Sequence, residues 1–237
     1  MIINPNGIHL WLVPLNPTVS APEANGLMDT CYHVLSKEEQ DRADSFVFER
    51  HRRRFIFAHF ALRKILGDYL EQLPEEIQFA TLPKGKPILI NSQNAKNIQF
   101  NLSHSGEMAL VGLRTEKTIG VDIEFHRDRE LLGIADHVFS DKECQQLSSL
   151  KEKELVDAFF HIWAQKEAFI KAVGDGLAYP LKDFTVSHQP PASLLEAVHE
   201  KKAEWYLYSF QPTTEAHAAI ATLNPVSEIV YFDFVLK

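Results

Sequence analysis

Residues 140–143, Ser140-Asp141-Lys142-Glu143, carry the signature of a helix start, and residues 36–39, Ser36-Lys37-Glu38-Glu39, carry it too. In such a capping box the serine hydroxyl accepts from the amide three positions on, while the glutamate reaches back to the serine amide. Working outward from the two boxes, each opens a short helix followed by a longer one, over residues 49–66 and 153–173. Gly67 and Gly174 then predict left-handed C-caps. Strand-like runs follow in the same order in both halves: 77–82, 88–90, 98–102 and 108–113 in the first, then 184–186, 205–210, 218–223 and 229–235 in the second. One more strand precedes each helical pair, at 9–15 and 120–125. Equivalent pieces stay offset by roughly 104 to 110 residues. This pattern predicts an α+β fold built as a pseudo-twofold duplication of a strand–helix–helix–strands unit. The halves are expected at 1–117 and 118–237, and the cleft between them is the expected place for a ligand. The Pro-, Asn- and Ser-rich stretch 16–30 reads as a surface loop, and 187–202, with its Pro-Pro break, as an excursion between strands.

Composition narrows the function class. The 237 residues are 45% hydrophobic and 24% charged, enough apolar content to exclude a disordered chain. The formal charge of −8 argues against a nucleic-acid binder, because phosphate backbones demand a basic surface. Two cysteines, Cys31 and Cys144, are too few for a disulfide framework and lack a metal-binding spacing. No run of 18 apolar residues occurs, and the N-terminal MIINPNGIHLWLVPL lacks the basic start of a signal peptide. A cytoplasmic protein with no membrane partner is the expectation.

Chemistry concentrates in a few strings. In Gly120-Val121-Asp122-Ile123-Glu124, alternation along a strand puts Asp122 and Glu124 on one face. Two neighbouring carboxylates repel, and hard oxygen ligands of this kind suit Mg²⁺; the alternative is an exposed strand face with two solvated acids. On the second long helix, Glu167 and Lys171 stand at i and i+4 on the face of Trp163, amid dense apolar residues. This is either a surface ion pair or a third carboxylate facing the strand pair. Asn101-Leu102-Ser103-His104-Ser105-Gly106 offers hydroxyl, imidazole and backbone donors at a strand end, and Lys84-Gly85-Lys86-Pro87 sets two cations around a glycine with Pro87 stiffening the exit. Either string is also an ordinary polar turn. Arg50-His51-Arg52-Arg53-Arg54 crowds four arginines at a helix start, and Arg54 and Arg63 point to different faces. A polyphosphate ligand accounts for all these pieces together.

Taken in order, the Arg54-to-Arg63 helix, KGKP at 84–87, NLSHS at 101–105, GVDIE at 120–124, WAQKEAFIK at 163–171 and GDGL at 174–177 resemble the 4′-phosphopantetheinyl transferases of the surfactin-synthetase-activating type, made of two fused similar halves. The resemblance covers roughly residues 50–190. It implies transfer of the phosphopantetheine arm of coenzyme A to a serine of an apo acyl or peptidyl carrier protein, with release of adenosine 3′,5′-bisphosphate. By this similarity Asp122, Glu124 and Glu167 hold Mg²⁺ on the coenzyme A pyrophosphate. Glu167 is the base for the carrier serine, and Lys171 neutralises or protonates the leaving phosphate. Lys166 contacts the same phosphates, while Arg54, Lys84, Lys86, Pro87, Ser103 and His104 bind the adenosine 3′-phosphate and its surroundings.

Three further expectations accompany this reading. The apolar Leu131, Leu132 and Ile134, set in a charged stretch, form a carrier-docking face. Fused halves supply the interface that a smaller enzyme gains by oligomerising, so the protein is a monomer. The rivals are a non-catalytic module binding coenzyme A or carrier proteins, which needs no base, and a Mg²⁺-dependent phosphohydrolase, which needs a water-positioning group.

Overall fold

A computed structural model describes residues 1–16 and 21–235. The first half runs β1 (Gly7–Pro14), α1 (Ala21–Val34), α2 (Lys37–Asp44), α3 (Glu49–Leu70), β2 (Phe79–Thr81), β3 (Pro87–Leu89), β4 (Ile98–Ser105) and β5 (Met108–Thr115). The second runs β6 (Ile119–Phe125), α4 (Leu131–Val138), α5 (Asp141–Ser148), α6 (Glu152–Val173), β7 (Phe184–Val186), β8 (Leu194–Ala197), β9 (Trp205–Thr213), β10 (Ala216–Leu223) and β11 (Glu228–Asp233). Both capping boxes are made: Ser36 with Glu39, and Ser140 with Glu143. The long helices α3 and α6 are each 22 residues. Strand order β1-β5-β4 in one sheet repeats as β6-β10-β9 in the other, and a two-stranded ribbon, β2-β3 or β7-β8, accompanies each. The fold is α+β, and the unit is duplicated.

Packing explains why two units make one body. The first sheet and α1–α3 enclose one core around Phe57, Leu62, Leu66 and Phe100. The second sheet and α6 enclose another around Phe169, Ile162, Phe184 and Ala219. A third core joins the sheets through Ile8, Leu10, Leu110, Val121, Ile123 and Ile220, all fully shielded from solvent. Gly112 is needed there, since a Cβ on it would stand 2.5 Å from Val121 Cγ1.

Several expectations are corrected. The stretch 16–30 is not a surface loop where it is described: residues 21–34 form α1, whose Leu27, Met28 and Cys31 pack on the first core. A proline in the second position of a helix removes no hydrogen bond, so Pro22 does not prevent it. Residues 17–20 lie outside the described residues. Gly67 does not cap α3, which continues to Leu70 and ends on Glu71 at φ 60°. Gly67 lets the chain fold back, because a Cβ there would stand 2.7 Å from the Gln72 carbonyl oxygen. Gly174 does cap α6, at φ 90°. Finally, β11 crosses from the second half to pair in parallel with β1. The 117/118 division therefore separates the helices of the halves but not their sheets.

Candidate active site

The two sheets expose edges to each other, β4 from the first and β6 from the second. They are joined by side chains. Alternation along β4 turns Asn101, Ser103 and Ser105 toward β6. The Asn101 Oδ1 accepts from the Val121 amide (2.8 Å), the Ser103 hydroxyl donates to Asp122 Oδ1 (2.8 Å), and the Ser105 hydroxyl donates to Glu124 Oε2 (2.9 Å). Helix α6 lies directly over β6. Gly120 permits this, because a Cβ on it would fall 2.0 Å from the Ala168 carbonyl oxygen and 2.4 Å from the Ala172 nitrogen. That close approach delivers Lys171 to the strand, where its Nζ donates to Asp122 Oδ1 (2.6 Å) and Ser103 Oγ (2.9 Å).

The electrostatics follow from burial. Asp122 is 2% exposed, and desolvation pushes its carboxyl upward against the pull of the Lys171 ammonium and the Ser103 hydroxyl. Its second oxygen, Oδ2, is buried without a partner. Burial and the Asp122 charge likewise raise Glu124. Glu167 is pushed up to about 7 by burial, then by the Asp122 and Glu124 charges, with Lys171 opposing. Three carboxylates thus surround one lysine. Their ligand oxygens do not converge within 4.8 Å, the bound that among the described residues only His126, Asp157 and His217 meet. Lys171 and Ser103 hold Asp122 Oδ1, and Ser105 holds Glu124 Oε2.

Beside this group lies a cavity of about 250 Å³ lined by Lys84, Lys86, Pro87, Asn101, Lys171 and Gly174 among others. Lys84 is exposed at its rim, paired with Asp175 at 2.5 Å. Lys86 lines it with its stem, but its Nζ donates to Thr118 Oγ1 and to the carbonyls of Ile119 and Ala172, and desolvation lowers it to about 8. Lys86 therefore also pins the junction of the halves to the end of α6. Arg54 and Arg53 converge on Glu107, in the turn after Ser105, with Arg54 Nη2 2.6 Å from Oε1. His104 is exposed to solvent on β4, between the buried Ser103 and Ser105. Desolvation first, then the electrostatic influence of His59, Lys171, Arg54 and His51, lowers it to about 4, so its imidazole is neutral.

Lys166 is the correction. It is 1% exposed, and its Nζ donates to the Leu181 and Phe184 carbonyls (2.8 and 2.7 Å) and pairs with Glu143 at 2.9 Å. Adjacent helical residues point about 100° apart, so Lys166 and Glu167 do not share the cleft. Sequence reading took Asn101 and Ser105 as members of a donor string at a strand end, not as partners of β6, and missed Glu107. Asn101 and Ser105 were signalled by their period-two spacing with Ser103; Glu107, alone in its turn, had no signal. Of the expected docking triplet, Leu131 belongs to the core and Leu132 is 40% exposed.

An acidic strand edge thus faces a carboxylate and a lysine on a helix, beside a lysine- and glycine-lined cavity. Residues 118–222 match the family model of the 4′-phosphopantetheinyl transferase superfamily, and residues 22–116 that of the 4′-phosphopantetheinyl transferase N-terminal region. The 4′-phosphopantetheinyl transferase HetI of Nostoc sp. strain PCC 7120 is 36% identical over 217 residues, covering 90% of this chain and 86% of its own. The 4′-phosphopantetheinyl transferase ffp of Bacillus subtilis is 41% identical over 203 residues, covering 81% and 88%. Sfp of Bacillus subtilis strain 168 is 32% identical over the same length and coverage. The chain belongs to the 4′-phosphopantetheinyl transferases, and it is an enzyme of that kind.

Proposed function

We propose that the cleft between β4, β6 and α6 binds coenzyme A with Mg²⁺ and transfers its phosphopantetheine arm to a serine of an apo acyl or peptidyl carrier protein. The observation that carries this reading is the buried Asp122, one oxygen held by Lys171 and the other without a partner, beside a Glu167 carboxyl pushed up to about 7. An orphaned buried carboxylate oxygen among three hard oxygen donors fits Mg²⁺. Asp122, Glu124 and Glu167 would hold it, and when bound it supplies charge neutralisation on the pyrophosphate.

The chain's own residues do the rest. Glu167, with a proton affinity near neutrality, is suited to take the proton that the weakly nucleophilic carrier serine must lose. Lys171, hydrogen-bonded to Asp122 and Ser103, places a positive charge beside the departing phosphate. Lys84 offers a cation at the cavity rim, and Arg54 and the neutral His104 stand across the β4 end as donors for the 3′-phosphate. Lys86 and Pro87 shape the wall. A non-catalytic binding module has no use for this carboxylate–lysine group. The apolar, exposed Leu132 on α4, following β6, is the proposed carrier contact. We also propose that the protein works as a monomer in the cytoplasm: the third core already unites the halves, and both cysteines are free.

Titration calorimetry tests the site. Mg²⁺ should strengthen coenzyme A binding by the wild-type protein and have no effect on binding by Asp122→Asn. Equal Mg²⁺ dependence in both would remove Asp122 from the metal site.

A further inference from the structure

Outside the cleft, the ends of β6, α6 and β10 bring a second set of donors together. We propose that His126, Asp157 and His217 form a separate site for a transition-metal cation of the zinc class. Their ligand atoms all lie within 4.8 Å of one another. His126 Nε2 and His217 Nδ1 are 2.8 Å apart, sharing a proton in a hydrogen bond. A zinc ion bound at about 2.0–2.1 Å to each nitrogen in a tetrahedron sets them roughly 3.4 Å apart, so the pair needs to open by only about 0.6 Å. Two imidazoles and a carboxylate suit zinc, copper or nickel, whereas Mg²⁺ takes oxygen ligands.

Independent features surround this trio. His161, one helical turn beyond Asp157, is 4% exposed, and its Nε2 is buried without a hydrogen-bond partner. Its ring meets that of His217 edge-on, with centroids 6.1 Å apart. Asp157, His161 and His217 line one cavity of about 530 Å³, leaving room for water or a further ligand at the ion. Gln211 stands 2.9 Å from His217 Nε2, the outer-sphere position that fixes a ligating imidazole. Asp157 lies on α6 with Glu167 and Lys171, His126 directly follows the strand β6 that carries Asp122 and Glu124, and His217 lies on β10, which pairs with β6. A bound ion therefore clamps β6, α6 and β10 together behind the transfer cleft.

The test uses Co²⁺ and Zn²⁺ on the full-length protein, stripped with chelator and held in excess Mg²⁺ to fill the carboxylate cleft. One equivalent of Co²⁺ should give a visible d–d absorption of low-symmetry nitrogen and oxygen ligation, displaced by one equivalent of Zn²⁺. His126→Gln and His217→Asn should abolish it, while Glu167→Gln retains it. Gln211→Ala should weaken Zn²⁺ binding by about 10-fold or more. If His217→Asn does not fold, Asp157→Asn, on the more accessible helix face, gives the same readout. Absence of any saturable band, or a band that survives His217→Asn and is lost in Glu167→Gln, would overturn the proposal.

Discussion

Replacing Lys166 with Met separates two roles for that residue. In the structure its ammonium is enclosed, paired with a fully buried Glu143 and donating to two carbonyls. Removing one partner of a buried ion pair leaves an uncompensated charge, at a cost of about 3–5 kcal/mol. Here the lower end applies, because Glu143 also accepts from the Ser140 and Val186 amides at 2.8 Å and sits in the first turn of α5. The Leu181 and Phe184 carbonyls lose their donor as well, which adds about 1 kcal/mol. The total of about 4 kcal/mol corresponds to a drop in Tm of roughly 8–16 °C for a chain of this size. Urea denaturation followed by tryptophan fluorescence reads the loss, and Glu143→Gln/Lys166→Met should recover part of it by removing the stranded charge. At a temperature where the variant is folded, its KM for coenzyme A should equal that of the wild type. A variant of unchanged stability with a strongly raised KM would place Lys166 at the phosphates and refute this reasoning.

Glu167 gives a pH prediction. Its folded value of about 7 exceeds the ordinary 4.5, so the folded state binds the extra proton between those values. Stability of the chelator-treated protein should therefore fall as pH rises from about 4.5 to 7, and Glu167→Gln should be more stable than wild type at pH 8 by about 1–2 kcal/mol after allowance for solvent screening. Equal urea midpoints at pH 8 would contradict it. Gly120→Ala should destabilise by about 1–3 kcal/mol and lower kcat more than it raises KM, since the added methyl displaces α6 and with it Glu167 and Lys171; steady-state kinetics with denaturation curves check both. Leu132→Asp should raise KM for the carrier about 5-fold, equivalent to roughly 1 kcal/mol of contact, without changing KM for coenzyme A.

The duplicated architecture was legible because local chemistry announces it: two serine–glutamate boxes and two strand sets in register need no long-range information. The partner of β11 was not, because a strand's alternation states which face is buried and says nothing about its neighbour. Helix α1 was hidden by Pro22 and Asn25, residues whose turn preferences were overridden by burial of Leu27, Met28 and Cys31. In the site, periodicity paired Asp122 with Glu124 and Glu167 with Lys171 but left open whether the two pairs meet, because the contact of α6 with β6 is set by long-range packing at Gly120. Lys166 was misplaced although the same periodicity separates it from Glu167. Lys86 was read for its charge, while the three oxygens that hold its Nζ come from the distant Thr118, Ile119 and Ala172.

The central claim, that the β4–β6–α6 cleft performs the transfer, is met most directly by intact-protein mass spectrometry of an apo acyl carrier protein incubated with this enzyme, coenzyme A and Mg²⁺. One phosphopantetheine should be added, and EDTA or Glu167→Gln should abolish the addition. Addition at wild-type rate by Glu167→Gln would contradict it, as would an unmodified carrier across acyl and peptidyl types while coenzyme A still binds.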